Sequence, residues 1–176
     1  GATTYTWSGG LPNGPAVTTP VLNNTTTYTV IGTDGNGCIN TATSTVTVNP
    51  KPTITVNSPS ICAGQTAALS AGGASTYTWT GGLPNGANVN TPVLNSNTSY
   101  TVTGTDANGC SNTAVSNVTV NQKPIVTVNS PSICEGSPAS LTANGASTYT
   151  WTGGLPAVSN VTTPVLNSTT SYTVTG

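Results

Sequence analysis

Four cysteines, Cys38, Cys62, Cys110 and Cys134, are the side chains best suited to covalent chemistry in this 176-residue chain. The chemistry they offer is disulfide formation, in an oxidising compartment outside the cytoplasm. A metal site is a poor fit, since the chain has no His, no C-x-x-C pair and cysteines 24 to 48 residues apart. The five charged residues are Asp34, Asp106, Glu135, Lys51 and Lys123. Asp34 and Asp106 each head an Asp-x-Asn-Gly string that faintly resembles a calcium loop. Calcium gathers several carboxylates and each string has one, so the reading is an Asp bonding its own turn. An isopeptide bond from Lys51 or Lys123 would need a buried lysine beside a buried acid. Both lysines sit next to proline, so they read as solvated linker residues. With so few titratable groups, general acid–base catalysis lacks reagents. The chain is expected to be no enzyme and to carry no cofactor.

The same scarcity of charge excludes other partners. Two Lys and no Arg cannot neutralise a row of phosphates, so nucleic acid is excluded. No apolar run approaches the roughly 18 residues of a spanning helix. Thr (38), Asn (20) and Ser (18) supply 76 of the 176 residues, so the surface must be hydroxyls and amides. Disorder is not the expectation. Apolar residues make up 34% of the chain, net charge is only −1, and Val, Ile, Leu, Tyr and Trp alternate with Thr.

The alternation belongs to a repeat. Thr-Tyr-Thr-Trp begins at Thr4, Thr76 and Thr148, which spaces Trp7, Trp79 and Trp151 by 72 residues. The same interval relates Cys38 to Cys110, Cys62 to Cys134, and Lys51 to Lys123. Residues 1–48 match 73–120 at 35 of 48 positions, and 49–104 match 121–176 at 42 of 56, without gaps. Gly1 corresponds to Gly73 and Gly176 to Gly104, so the expectation is two periods plus 32 residues of a longer array.

Each period reads as short strands joined by turns. In the central copy these are 53–57, 65–71, 76–80, 88–95, 99–105 and 112–120, with apolar residues on one face and Thr on the other. Asp34 to Gly37 and Asp106 to Gly109 separate the last two strands as hairpin turns, glycine accepting the positive φ required. Six or seven short antiparallel strands with a core Trp predict an all-β immunoglobulin-like sandwich. Pro50, Lys51 and Pro52, then Lys123 and Pro124, mark joints about four residues long that proline stiffens. The expected units are 1–49, 50–121 and 122–176, the first and last partial.

Cysteine pairing has three readings. Cys62 with Cys110 staples one unit and leaves Cys38 and Cys134 for partners outside the chain. Cys38 with Cys62 and Cys110 with Cys134 crosses the joints, and all four could stay reduced. Four strands between Cys62 and Cys110 would return the chain to the same end of the sandwich, which favours the first. Tyr77 and Trp79 could stack sugars, but alternation puts them in the core. Tyr100 is placed at a tyrosine corner, its hydroxyl bonding backbone. Six Asn-x-Ser/Thr sequons, at Asn23, Asn24, Asn97, Asn117, Asn160 and Asn167, are expected by chance in such a composition.

Ser60-Ile-Cys-Ala-Gly64, the Thr-Tyr-Thr-Trp strand, and Tyr100-Thr-Val-Thr-Gly-Thr-Asp-Ala-Asn-Gly-Cys110 together resemble one family. It is that of the immunoglobulin-like, PKD-like repeats in giant Bacteroidota surface adhesins, the SprB-type gliding adhesins and related type IX secretion substrates. The resemblance covers all three copies. It implies a bacterial cell-surface location and a role in adhesion, gliding or cell contact. The expected function is a structural spacer or fibre unit whose partners are further copies, in tandem and side by side. The alternative is an array of weak carbohydrate-binding modules that recognises surface glycans through copy number.

Overall fold

The computed structural model describes residues 1–176 as fifteen strands without a helix. The first copy has β1 (Thr4–Trp7), β2 (Thr26–Thr33) and β3 (Ile39–Val46), one antiparallel sheet in the order β1-β2-β3. The central copy has β4 (Thr55–Val56), β5 (Ser60–Cys62), β6 (Ala68–Gly72), β7 (Thr76–Trp79), β8 (Asn88–Asn90), β9 (Thr98–Thr105) and β10 (Ser111–Asn121). These form a four-stranded sheet, β5-β10-β9-β7, and a three-stranded one, β4-β6-β8. The third copy has β11 (Thr127–Val128), β12 (Ser140–Asn144), β13 (Thr150–Trp151), β14 (Asn160–Thr162) and β15 (Val174–Thr175). Its sheets are β11-β12-β14 and β13-β15.

Threonine, tyrosine and valine suit a pleated surface that is half covered, and the period of two decides which side is covered. Along β9, Tyr100 and Val102 are buried while Thr101 and Thr103 are only half-buried. Along β10, Ser116, Val118 and Val120 are buried and the residues between them exposed. The smaller sheet and the loop beside it answer with Ala67, Leu69, Val89 and Leu94, closing a core of eleven buried residues. The result is an immunoglobulin-like β-sandwich of seven strands. Polar groups that reach the interior are bonded. Ser116 Oγ donates to the Asn57 carbonyl at 2.7 Å. Thr91 Oγ1 accepts from Ala67 N–H at 2.9 Å and donates to the Pro92 carbonyl at 2.8 Å.

One pairing departs from the antiparallel expectation. β5 runs parallel to β10, with Ser60, Ile61 and Cys62 opposite Thr119, Val120 and Asn121. The chain runs on from β4 into β5, so these two segments share a direction and serve one sheet each. β6 opposes β4, β8 opposes β6, and β7 opposes β9, which itself opposes β10. It follows that β7 and β8 point the same way. Between them residues 80–87 fold back, bringing Gly86 N–H to the Tyr77 carbonyl at 3.2 Å. The chain therefore enters the central sandwich at one end and leaves it at the other.

Candidate functional site

The reactive side chains gather at the two ends of the sandwich, beside the joints between copies. At the entry end, the Asp106 hairpin is held by its own carboxylate. Asp106 Oδ1 accepts from the N–H groups of Asn108 and Cys110, both at 2.9 Å. Gly109 takes φ 81°, the left-handed region that the turn requires. The first copy repeats this geometry: Asp34 Oδ1 takes the N–H groups of Asn36 and Cys38 at 2.9 Å, with Gly37 also at φ 81°. In each turn one carboxylate oxygen, Oδ1, is thus engaged by two backbone N–H groups. The hairpin presents the half-buried Cys110, whose Sγ–H donates to the Asn49 carbonyl at 3.7 Å. Asn112 reaches the same joint, its side-chain amide donating to the Pro52 carbonyl at 3.0 Å.

At the exit end, exposed Cys62 lies opposite Asn121 in the parallel register. Ala63 N–H donates to the Asn121 carbonyl at 2.8 Å, and the Gln122 amide to the Asn95 carbonyl at 3.0 Å. Pro50, Lys51, Lys123 and Pro124 are exposed in the two joints, and Pro52 is half-buried.

These positions correct the cysteine reading. Cys62 and Cys110 stand at opposite ends of β10, eleven residue steps and about 36 Å apart. A disulfide needs Cα atoms within about 7 Å. All four thiols are free. Strand counting misleads because β7 and β8 run the same way, so four strands leave the chain at the far end. Pairing Cys38 with Cys62, or Cys110 with Cys134, fails similarly. In the 72-residue correspondence each such pair joins the entry end of one copy to the exit end of the next.

The aromatic residues anchor the sandwich. Trp79 and Tyr77 are buried, and Trp79 Nε1–H donates to the Gly86 carbonyl at 2.9 Å. Trp7 and Trp151 make the corresponding bonds to Gly14 at 3.0 Å and Val158 at 2.9 Å. The hydroxyl that clasps backbone belongs to Tyr77, which donates to the Ala74 carbonyl at 2.9 Å and accepts from Ala74 N–H at 2.8 Å. Tyr100 serves the core in another way. Its buried ring lies over Gly81, where a Cβ would come within 2.9 Å of it. The backbone clasp expected of Tyr100 at a tyrosine corner is thus made elsewhere, by Tyr77 in the turn before its own strand. Sequence reasoning also missed Thr91 and Asn112. A buried threonine in a chain with 38 of them has no distinguishing signal.

A concavity of about 570 Å³ forms a trough in the third copy flanked by Ala139, Leu141, Trp151 and Tyr172. The corresponding surface of the central copy is covered by Val118 and Val120 of β10. It is lined by hydroxyls, amides and apolar groups with Cys134 and Glu135, and brings no nucleophile to a base.

The match to a family model agrees with the fold. Residues 50–124 match the sequence model of an Ig-like domain, CHU_C associated. No curated protein matches the chain. Among solved structures, it is similar to protocadherin gamma B7 extracellular cadherin domains 1–4 at 14% identity and TM-score 0.32, over 94% of this chain and 59% of that one. A Ca2+-stabilized adhesin of an Antarctic bacterium that binds ice is similar at 17% identity and TM-score 0.39, over 78% and 48%. A 1.5-MDa bacterial ice-binding adhesin is similar at 19% identity and TM-score 0.38, over 80% and 63%. The chain thus spans less than two thirds of each of these structures.

Proposed function

We propose that the chain is part of the shaft of a long adhesin or filament on a bacterial surface, each 72-residue unit acting as a non-enzymatic spacer. The observation that carries this reading is the polarity of the central sandwich. The chain enters at one end and leaves at the other, so gapless repetition extends the molecule instead of folding it back. The units would be 1–49, 50–121 and 122–176, joined by short segments that Pro50, Pro52 and Pro124 stiffen. Each would add about 30–40 Å of reach, from strands of about six residues plus loops. Further copies are the expected partners, in tandem and, given a surface with almost no charge to repel neighbours, side by side. The finer placement, among SprB-type gliding adhesins and type IX secretion substrates, rests on the resemblance of the Ser60–Gly64 and Tyr100–Cys110 strings. Every Tyr and Trp is buried or half-buried, which favours the spacer over a glycan-binding platform.

Small-angle scattering of the chain tests this. A rod of such units gives a radius of gyration of about 25 Å. A compact globule of the same length would give about 16 Å. The smaller value would overturn the spacer reading.

A further inference from the structure

We propose that, wherever one copy follows another, the cysteine at the Cys62 position of the first forms a disulfide with the cysteine at the Cys110 position of the second. This rests on the tandem spacer reading. Asn49 and Asn121 are the same position one period apart. The Cys110 thiol donates to the Asn49 carbonyl at 3.7 Å, from the copy that follows Asn49. Cys62 is the register partner of Asn121, within the copy that Asn121 ends. Paired strands lie about 4.8 Å apart. The last residue of a copy is therefore flanked by one cysteine of its own copy and one of the next, both converging on a single peptide group. Within residues 1–176 the two kinds never meet at one joint. The partner for Cys110 would precede residue 1, and the partner for Cys62 would follow Gly176.

The geometry is held from both sides. The Asp106 carboxylate fixes the Cys110 backbone, and the parallel ladder fixes Cys62. Cys62 is exposed and Cys110 half-buried, so an oxidant reaches both. Oxidation by a small-molecule disulfide such as oxidised glutathione balances the step. One cysteine thiolate opens the glutathione S–S bond and releases one glutathione thiol. The second cysteine then attacks the mixed disulfide and releases the other. Such a bridge would lock each joint and make the shaft covalently continuous beside its backbone.

The test extends the full chain after Gly176 by a copy of its own residues 105–121. This adds a Cys110-type cysteine at the second joint and supplies the segment that covers the third-copy trough. After treatment with oxidised glutathione, the chain should lose two of its five thiols, and non-reduced peptide mapping should link Cys62 to the added cysteine. Cys62→Ser, at an exposed position outside the core, should retain all its thiols. Five free thiols in the extended chain, or a link between any other pair, would overturn the bridge. Scattering on the same sample keeps the two readings apart. A rod without the bridge sinks only this inference, whereas a compact particle sinks the spacer.

Discussion

The first and central copies share 35 of 48 aligned residues, yet they bury their aromatic faces very differently. Trp79 is 8% exposed and Val102 fully buried, whereas Trp7 and Val30 are half-buried. The strands themselves are alike: β1-β2-β3 repeats β7-β9-β10, with Tyr5 opposite Gly32 as Tyr77 is opposite Gly104. Of these two copies, only the central one has, within residues 1–176, a second sheet, β4-β6-β8, to cover that face. The stretch corresponding to β8, 16–18, forms no strand in the first copy, where no β6 stands beside it. Local hydrogen bonds thus follow from the residues of one copy alone. Burial is supplied by the facing sheet.

The largest consequence concerns the tryptophans. Trp79→Ala should cost about 3–5 kcal/mol, the usual range for deleting a buried aromatic. Trp7→Ala should cost no more than about half that, because less apolar area leaves the interior. The indole bonds to Gly86 and Gly14 are lost equally and cancel from the comparison. Native-state hydrogen exchange, read separately at β9 and β2, measures each local cost. Equal losses would show that the second sheet contributes little.

A buried hydroxyl sharpens the contrast. Thr91→Val leaves Ala67 N–H without its acceptor, and should cost about 1–3 kcal/mol. Thr163 serves Ala139 N–H in the same way at 2.9 Å, so Thr163→Val should cost as much in the third copy. Thr19, at the same position of the first copy, makes no bond of this kind. Thr19→Val should stay within about 0.5 kcal/mol. Exchange at the Ala67 and Ala139 amides is the direct readout, and protection unchanged by Thr91→Val would show that the hydroxyl does not hold that amide.

The parts of the fold legible in the residues were those set by neighbours a few positions away. Tyr77 and Trp79 alternate with Thr, and Asp106-Ala-Asn-Gly109 carries its turn chemistry in four letters. What stayed hidden depends on distant partners or on direction. β5 is three residues after a proline with one apolar side chain, Ile61, so no period announces it. Its parallel pairing is a property of β10, some sixty residues away. The return of residues 80–87 reverses the chain without spending a strand. Nothing in Gly-Gly-Leu-Pro-Asn-Gly states that direction, and the cysteine pairing inherited the error. Tyr77 rather than Tyr100 clasps backbone because a hydroxyl three residues from Ala74 reaches its own turn. Sequence position relative to a strand start could not separate the two.

The smallest predicted effect is also the one that should not differ between copies. Asp34 and Asp106 each accept two backbone N–H bonds at 2.9 Å within their own turn, and neither needs the second sheet. Asp34→Ala and Asp106→Ala should therefore each cost about 1 kcal/mol, a hydrogen bond's typical net worth at a partly solvated site. The two values should agree within about 0.5 kcal/mol, the scatter usual for surface substitutions. Asp→Asn keeps an Oδ1 acceptor and should cost less than Asp→Ala at both positions. Exchange at the Cys38 and Cys110 amides reports each turn directly. A penalty at Asp106 well above that at Asp34 would mean that the hairpin, like the tryptophan, draws stability from the facing sheet or the joint. In that case the separation between locally bonded turns and globally buried faces would fail at its simplest point.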